Sequence, residues 1–242
     1  MISIILPTYN ESGNIKKVIH TITDLLKNGK ESFEILVVDD NSPDGTFQIA
    51  QTMSLYDNRI RVFKRVDVKG LSSAVYFGFA NALGNKLIVA DADFQHDYTK
   101  IPVIANLLDD NQIVVASRRN ENGDYGNFPF LRKAISILAT KLTNLFFKVP
   151  IEDPMSGFFG ITKTIYEETI SILKPRGYKI LFEILMTTQT KKIKEIGYQF
   201  GTRPWGESKL DSKVVFYFLL DIVSIKWNQM FWNLDDGIST KH

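Results

Sequence analysis

The stretch LIVADADFQHD, residues 87–97, places four apolar residues directly before two aspartates that are one residue apart. A short apolar run that ends in polar residues is typical of a buried β-strand that stops at the edge of a sheet. Asp91 and Asp93 share a face if the strand continues through them, and a turn can also bring them together. Carboxylates that converge in this way either solvate a loop or hold a cation.

Strands and helices alternate on both sides of this stretch. Predicted strands cover residues 2–7, 33–40, 60–65, 86–93 and 112–119, and apolar residues recur at helical spacing in the segments between them. The alternation predicts an α/β fold with a mostly parallel, Rossmann-like sheet and helices on both faces. Such sheets bind ligands at the carboxyl ends of their strands.

Polar loops follow four of the predicted strands. Their sequences are PTYNE (7–11), DDNSPDGT (39–46), DADFQHD (91–97) and SRRN (117–120). One polar strand end says little, because loops between strands and helices are polar in most proteins. Several such loops at one edge of a sheet favour a ligand site there.

Composition excludes several classes of protein. The 242 residues contain no cysteine, which excludes disulfides and thiolate metal sites. The net charge of +2 gives no electrostatic reason to expect nucleic acid as a partner. The start of the chain lacks the basic region of a signal peptide, and no apolar run approaches the roughly 20 residues that cross a bilayer. We therefore expect a cytoplasmic chain with one main domain and a C-terminal extension.

The acid pair suggests a particular class of cation. Oxygen ligands suit Mg²⁺ or Mn²⁺, and magnesium commonly binds one or two protein carboxylates while water and phosphate complete its shell. Asp91 and Asp93 at a strand end therefore predict a cation that bridges the protein to a diphosphate.

Six motifs occur in the order in which a known family has them. They are ILPTYNE, VVDDNSPDGT, ADADFQH, ASRR, DPMSGFFG and RPWGESKL. The chain resembles the A-type family 2 glycosyltransferases over about residues 2 to 210, and within them the dolichyl-phosphate (polyprenyl-phosphate) mannose synthases. The resemblance implies an A-type glycosyltransferase fold, with residues 1–210 as the catalytic domain and 211–242 as an amphipathic extension that contacts a membrane or a partner.

The resemblance also implies a sugar-nucleotide site. The residues that would line the nucleoside are Pro7, Tyr9 and Glu11, and those that would contact the base are Val38 and Asp40. The residues at the metal and diphosphate would be Asp91, Asp93 and Gln95, with the Ala92 backbone nearby. A core aromatic is the alternative for Tyr9, and a turn cap is the alternative for Asp40. Asp44 belongs to a favourable turn sequence, so we expect a structural role for it.

Basic groups later in the chain match further positions of the family. Arg132 and Ser136 are four residues apart, so one helix face would present a guanidinium and a hydroxyl to the same phosphate. The other matching residues are Arg118, Lys179, Arg203 and Lys209. A solvated surface charge is the alternative for each of them.

A lipid phosphate acceptor would explain why no general base stands out. With a second pKa of about 6, its oxygens are largely anionic at neutral pH, so no group has to remove a proton. We expect in-line attack of a phosphate oxygen on the anomeric carbon, with inversion. The residues that would act on the reacting groups are Asp93, Arg118, Arg132, Ser136 and Arg203.

The C-terminal segment carries an apolar stripe at helical spacing. Its members are Phe216, Leu219, Leu220, Val223, Trp227, Met230 and Phe231. Such a helix would suit a membrane interface, and packing of the stripe against the sheet is the alternative. We expect peripheral association with the cytosolic face of a membrane, with small membrane-anchoring subunits as further partners.

Other functions fit the sequence less well. The donor and acceptor expected from the resemblance are GDP-mannose and dolichyl or polyprenyl phosphate, and a glucose synthase that uses UDP-glucose is the nearest alternative. A polysaccharide synthase would carry a Gln-x-x-Arg-Trp signature, which is absent. A phosphoacceptor receiver module would need acids after the first strand, and a non-catalytic binding protein would not need the acid pair.

Overall fold

The computed structural model describes residues 1–119, 151–171, 180–188, 190–202 and 204–205. The strands in these ranges are β1 (Ile2–Thr8), β2 (Phe33–Asp39), β3 (Ile60–Lys64), β4 (Lys86–Val89), β5 (Ile113–Ser117), β6 (Phe159–Thr162) and β7 (Ile193–Gly197). The helices are α1 (Ile15–Leu26), α2 (Thr46–Ser54), α3 (Leu71–Asn81), α4 (Lys100–Leu107), α5 (Lys163–Thr169) and α6 (Ile180–Thr187). The five strands predicted from the sequence are all present.

The described strands form one sheet in the order β3-β2-β1-β4-β6-β5-β7. Strand β6 is antiparallel to both of its neighbours, β4 and β5, whereas the other pairs are parallel. The mostly parallel sheet is therefore confirmed. The antiparallel strand is absent from the sequence analysis, because four residues, FGIT, are too few to show a period.

Helices cover both faces of the sheet, and the strand period determines which core each residue joins. On β1, Ile4 and Leu6 pack into one core with α1 and α4, whereas Ile5 packs into a second core with α3 and α6. Helix α1 shows how the spacing of apolar residues indicates a helix and its buried face. Its buried residues recur at helical spacing, namely Ile15, Val18, Ile19, Ile22 and Leu26.

The carboxyl ends of β1, β2, β4 and β5 lie at the same edge of the sheet, because these strands all run in one direction. Strand β4 ends at Val89, earlier than predicted, so Asp91 and Asp93 lie in a loop. Their relative position is therefore set by a turn and not by strand alternation. Within the described ranges, no helix is long and apolar enough to cross a lipid bilayer.

Candidate active site

The loops after β1 and β2 are joined by hydrogen bonds into one surface. The Thr8 hydroxyl donates to Asp39 Oδ2 at 3.0 Å, and the Asn10 backbone N–H donates to the Ser42 hydroxyl at 3.0 Å. Asn10 and Asn41 both have a φ of 57°, a left-handed conformation that asparagine adopts more readily than most residues. The two loops thus hold each other in place at the edge of the sheet.

Asp44 has the structural role expected from its turn sequence. Its Oδ2 accepts the Ser12 backbone N–H at 3.0 Å, and its Oδ1 accepts the Thr46 hydroxyl at 2.6 Å. Burial alone would raise the pKa of Asp44, but the hydrogen bonds from Thr46 and Ser12 outweigh it and hold that pKa below its ordinary value. The carboxylate ties the start of α2 to the loop after β1.

The four residues expected near the nucleoside differ in their exposure. Tyr9 is 37% exposed, so it is not a core aromatic, and Lys69 Nζ lies 5.5 Å from its ring centroid. Glu11 is buried, and its Oε2 accepts the Asn14 side-chain amide at 2.8 Å. Val38 is fully buried and pairs with Pro7, which is also buried. The Val38 side chain packs into the core with α3 and so lies beneath the loops, and its expected contact with a base stays a prediction.

Asp40 is held by two groups of the protein. Arg65 Nε donates to Asp40 Oδ1 at 2.7 Å, and the Gly70 backbone N–H donates to Oδ2 at 2.7 Å. The Arg65 guanidinium also donates to the Gly70 carbonyl oxygen at 3.1 Å. Each carboxylate oxygen has two lone pairs, so Asp40 keeps acceptor capacity for a base. Asp40 therefore does more than cap a turn, because it also binds the side chain of Arg65.

The acid pair lies in a tight turn after β4. Phe94, with a φ of 63°, turns the backbone so that the Gln95 N–H donates to Asp93 Oδ1 at 2.9 Å. The Tyr98 hydroxyl donates to the Asp91 carbonyl oxygen at 2.7 Å. Burial raises the pKa of Tyr98, so the hydroxyl keeps the proton that it donates. Asp93 is 2% exposed, whereas the Asp91 side chain is 38% exposed.

The side chains of this turn fit a hard divalent cation. Asp91, Asp93 and Gln95 supply only oxygen donors from a loop of five residues. Within the described ranges, no group of three or more His, Cys, Asp or Glu side chains could hold a metal ion by itself. Magnesium and manganese sites of transferases commonly use one or two carboxylates and leave the remaining positions to phosphate and water. The donor set therefore suits an ion that arrives with a diphosphate.

Gly201 packs closely on the turn that holds the acid pair. Its backbone N–H donates to the Gln95 carbonyl oxygen at 2.8 Å, and a Cβ at this position would lie 2.7 Å from the Phe94 carbonyl oxygen. Since the contacted atom belongs to the backbone, a side chain here must displace the turn itself.

The change Gly201→Ala is expected to lower the free energy of unfolding by about 1–3 kcal/mol and to weaken Mn²⁺ binding in the presence of GDP. Denaturant unfolding and a Mn²⁺ titration would measure the two effects. Gly157→Ala is the stability control, because a Cβ there would meet its nearest atom at 3.6 Å. Unchanged Mn²⁺ affinity in Gly201→Ala would contradict this account of the turn.

Arg118, at the end of β5, forms a two-pronged ion pair with Asp153. Its Nε donates to Asp153 Oδ2 at 2.8 Å, and an Nη atom donates to Oδ1 at 2.8 Å. Burial alone would raise the pKa of Asp153, but the Arg118 guanidinium outweighs it and holds that pKa below its ordinary value. Glu195 on β7 accepts the Asp153 backbone N–H at 2.9 Å. The guanidinium is thereby held in a set orientation by Asp153, which is itself tied to β7 through Glu195.

Five of the residues predicted from the sequence lie outside the described residues. They are Arg132, Ser136, Lys179, Arg203 and Lys209. Their roles stay predictions. Trp205, which belongs to the same motif as Arg203 and Lys209, does contact the site. Its carbonyl oxygen accepts the Asn14 side-chain amide at 3.3 Å.

Two residues of the site were missed by the sequence analysis. Asp153 is the first residue of the motif DPMSGFFG, which follows ASRR in the family order. That order was the available sign that Asp153 belongs to the site. Arg65 ends the predicted third strand and carried no signal of its own. Both act through partners that are distant in sequence, 35 residues for Asp153 with Arg118 and 25 residues for Arg65 with Asp40.

Comparison with known proteins gives relatives along most of the chain. The chain is 40% identical over 232 residues to the dolichol-phosphate mannosyltransferase of Pyrococcus furiosus, a match that covers 93% of this chain and 64% of that protein. The chain thus spans just under two thirds of that relative's length. It is 32% identical over 228 residues to the dolichol-phosphate mannosyltransferase of Saccharomyces cerevisiae, covering 90% of this chain and 84% of the relative.

Solved structures share the fold at lower identity. Glucosyl-3-phosphoglycerate synthase from Mycobacterium tuberculosis, in complex with Mn²⁺, UDP-glucose and phosphoglyceric acid, has a TM-score of 0.70 and 20% identity, covering 93% of this chain and 79% of that one. Mannosyl-3-phosphoglycerate synthase from Rubrobacter xylanophilus has a TM-score of 0.66 and 19% identity, covering 95% and 74%. Finally, residues 3–170 match the family model described as Glycosyl transferase family 2. The chain therefore belongs to glycosyltransferase family 2.

Proposed function

We propose that the chain transfers a mannosyl group from GDP-mannose to the phosphate of dolichol or another polyprenol. One observation carries the proposal: Asp91, Asp93 and Arg118 follow the carboxyl ends of β4 and β5 at the same edge of the sheet, inside the region that matches the family model. Relatives named dolichol-phosphate mannosyltransferase, at 32–40% identity over at least 90% of the chain, support mannose and a lipid phosphate as the substrates.

The acid loop would hold the divalent cation. Asp91, Asp93 and the side-chain oxygen of Gln95 are the proposed ligands, and Mg²⁺ and Mn²⁺ are the ions that suit such donors. When bound, the ion supplies positive charge to the departing diphosphate. The complex of the M. tuberculosis synthase with Mn²⁺ and UDP-glucose supports an ion of this class in a protein with the same fold.

The remaining residues would orient two anionic substrates. Glu11 would accept hydroxyl protons of the ribose, Tyr9 would contact the nucleoside, and Asp40 would accept N–H groups of guanine. The Arg118 guanidinium, fixed by Asp153, would bind a phosphate oxygen and offset charge repulsion between donor and acceptor. The acceptor needs no general base, because its phosphate is already anionic, so a single in-line displacement would invert the anomeric carbon.

The basic residues outside the described part of the chain would complete the phosphate site. We assign Arg132 and Ser136 to the acceptor phosphate, and the residues assigned to the phosphates of either substrate are Lys179, Arg203 and Lys209. The apolar stripe that contains Leu219 and Trp227 would rest on the cytosolic face of a membrane, where the lipid acceptor resides. Small membrane subunits would be further partners on that surface.

Calorimetry with Mn²⁺ and a lipid transfer assay would test the proposal together. We expect GDP-mannose to bind more tightly than UDP-glucose, and radiolabelled mannose to appear on dolichyl phosphate only when the metal is present. Binding of UDP-glucose without binding of GDP-mannose would mean that the transferred sugar is glucose, while the proposed type of reaction would stay the same. Absence of binding by either nucleotide would overturn the transferase function.

A further inference from the structure

His96 is a buried ring in the same loop as the acid pair. It is 4% exposed and stacks on Phe158, with ring centroids 4.9 Å apart and an interplanar angle of 8°. The edge of Tyr198 approaches it at a centroid distance of 5.9 Å. These rings hold the plane of the imidazole in place.

The first nitrogen of His96 binds the backbone of Asp91. Nδ1 accepts the Asp91 N–H at 3.0 Å, so Nδ1 carries no proton and the neutral ring has its proton on Nε2. The imidazole is therefore uncharged, with one N–H to donate.

The second nitrogen faces the Asp91 carboxylate. Nε2 lies 3.6 Å from Asp91 Oδ2, which is longer than a hydrogen bond but within reach of a charge–dipole attraction. Gly157 borders the space between these groups, and a Cβ there would make ordinary contacts, at 3.6 Å from His96 Cε1 and 3.8 Å from Asp91 Oδ2. The motif DPMSGFFG thus supplies the stacking ring, Phe158, and the residue beside the two groups.

We propose that His96 is a positioning residue for Asp91: Nδ1 holds the Asp91 backbone by a hydrogen bond, and Nε2–H attracts the Asp91 carboxylate. The inference rests on the proposed function, because the orientation of Asp91 matters only if Asp91 binds the cation. His96 itself is not a ligand, since Nδ1 is committed to a backbone N–H and Nε2 carries a proton. Partners of this kind around a metal ligand typically change affinity by about 10- to 100-fold when removed.

Three substitutions separate the two contacts of the ring. His96→Asn puts a side-chain oxygen where Nδ1 lies, so it keeps the bond to the Asp91 N–H and loses the donor to the carboxylate. His96→Gln extends an amide N–H towards the position of Nε2 and keeps a donor. His96→Phe keeps the stacked ring and loses both contacts, which makes it the control for aromatic packing.

Free Mn²⁺ would be measured by electron paramagnetic resonance with and without GDP, beside a thermal unfolding curve for each variant. We expect His96→Asn and His96→Phe to weaken Mn²⁺ binding in the presence of GDP about 10-fold, and His96→Gln to recover part of that loss. A lowered melting temperature with wild-type Mn²⁺ affinity in both variants would show a purely structural role and overturn the inference. If the wild-type protein binds no Mn²⁺ with GDP, the proposed function itself fails.

Discussion

Replacing Asp93 with asparagine is expected to abolish measurable transfer and the dependence on divalent metal together. The variant removes the charge and keeps the Oδ1 atom that accepts the Gln95 N–H at 2.9 Å. Asparagine has nearly the same size, so the buried turn keeps its packing around a side chain that is 2% exposed. The loss therefore reports on the charge and not on the shape of the loop.

The expected loss in kcat/KM is about 10³-fold or more, equivalent to about 4 kcal/mol of transition-state stabilisation. A cation that neutralises a leaving diphosphate commonly stabilises the transition state by several kcal/mol. Replacing one of its two carboxylate ligands with a neutral amide would lose much of that stabilisation. A steady-state transfer assay across a range of Mn²⁺ concentrations would measure the loss. Recovery at high Mn²⁺ would indicate weakened affinity with the chemistry intact.

Asp97→Asn is the matched control for this experiment. Asp97 lies in the same loop and accepts the Thr99 hydroxyl at 2.6 Å, ahead of the first residue of α4. Asparagine serves equally well at the start of a helix, so transfer and stability should both stay near wild type. Equal losses in the two variants would mean that the loop is sensitive to any lost charge, which would contradict a metal role specific to Asp93.

The sequence predicted the strands and the polar edge because both depend on local patterns. Strands such as Ile113–Ser117 are buried along their whole length and therefore read as unbroken apolar runs. Their polar continuations follow directly in the chain, so parallel strands must bring them to one edge. The position of Asp91 and Asp93 beyond Val89 follows from the same logic, even though the strand ends earlier than expected.

The contacts within the site could not be predicted, because they depend on partners distant in sequence. Val38 and Asp40 are two residues apart, yet packing against α3 buries the first, whereas Arg65 and Gly70 fix the second. The His96 ring likewise stacks on Phe158, which is distant in sequence, and the Asp91 N–H that donates to Nδ1 shows which way its nitrogens face. A local pattern identifies such residues, and the tertiary fold determines what they do.

Asp153→Asn is expected to lower the free energy of unfolding by about 3–5 kcal/mol at neutral pH. The Asp153 side chain is fully buried and the Arg118 side chain is 12% exposed, so the guanidinium would be left without its counter-ion where water cannot replace it. An amide would also turn an N–H₂ group towards a guanidinium N–H. Urea unfolding at pH 7 would measure the change.

Asp57→Asn is the matched control, because Asp57 pairs with Arg59 in the same two-pronged geometry, at 2.9 Å and 2.7 Å. That pair lies at the surface, with side chains 39% and 22% exposed, so we expect a loss of less than about 1 kcal/mol. Similar losses for both variants would contradict the view that burial makes the Arg118 pair important.

The pH dependence gives a second test of the same ion pair. Burial alone would raise the pKa of Asp153, but Arg118 outweighs it and lowers that pKa below 3.8, so the folded state binds the proton less readily than the unfolded state does. The stabilisation is therefore complete above about pH 4 and is lost as the pH falls through the folded-state pKa. The difference between wild type and Asp153→Asn should shrink over that acidic range. A difference that stays constant down to acid unfolding would mean that Asp153 contributes through its shape and hydrogen bonds and not through its charge, which would contradict the ion-pair explanation.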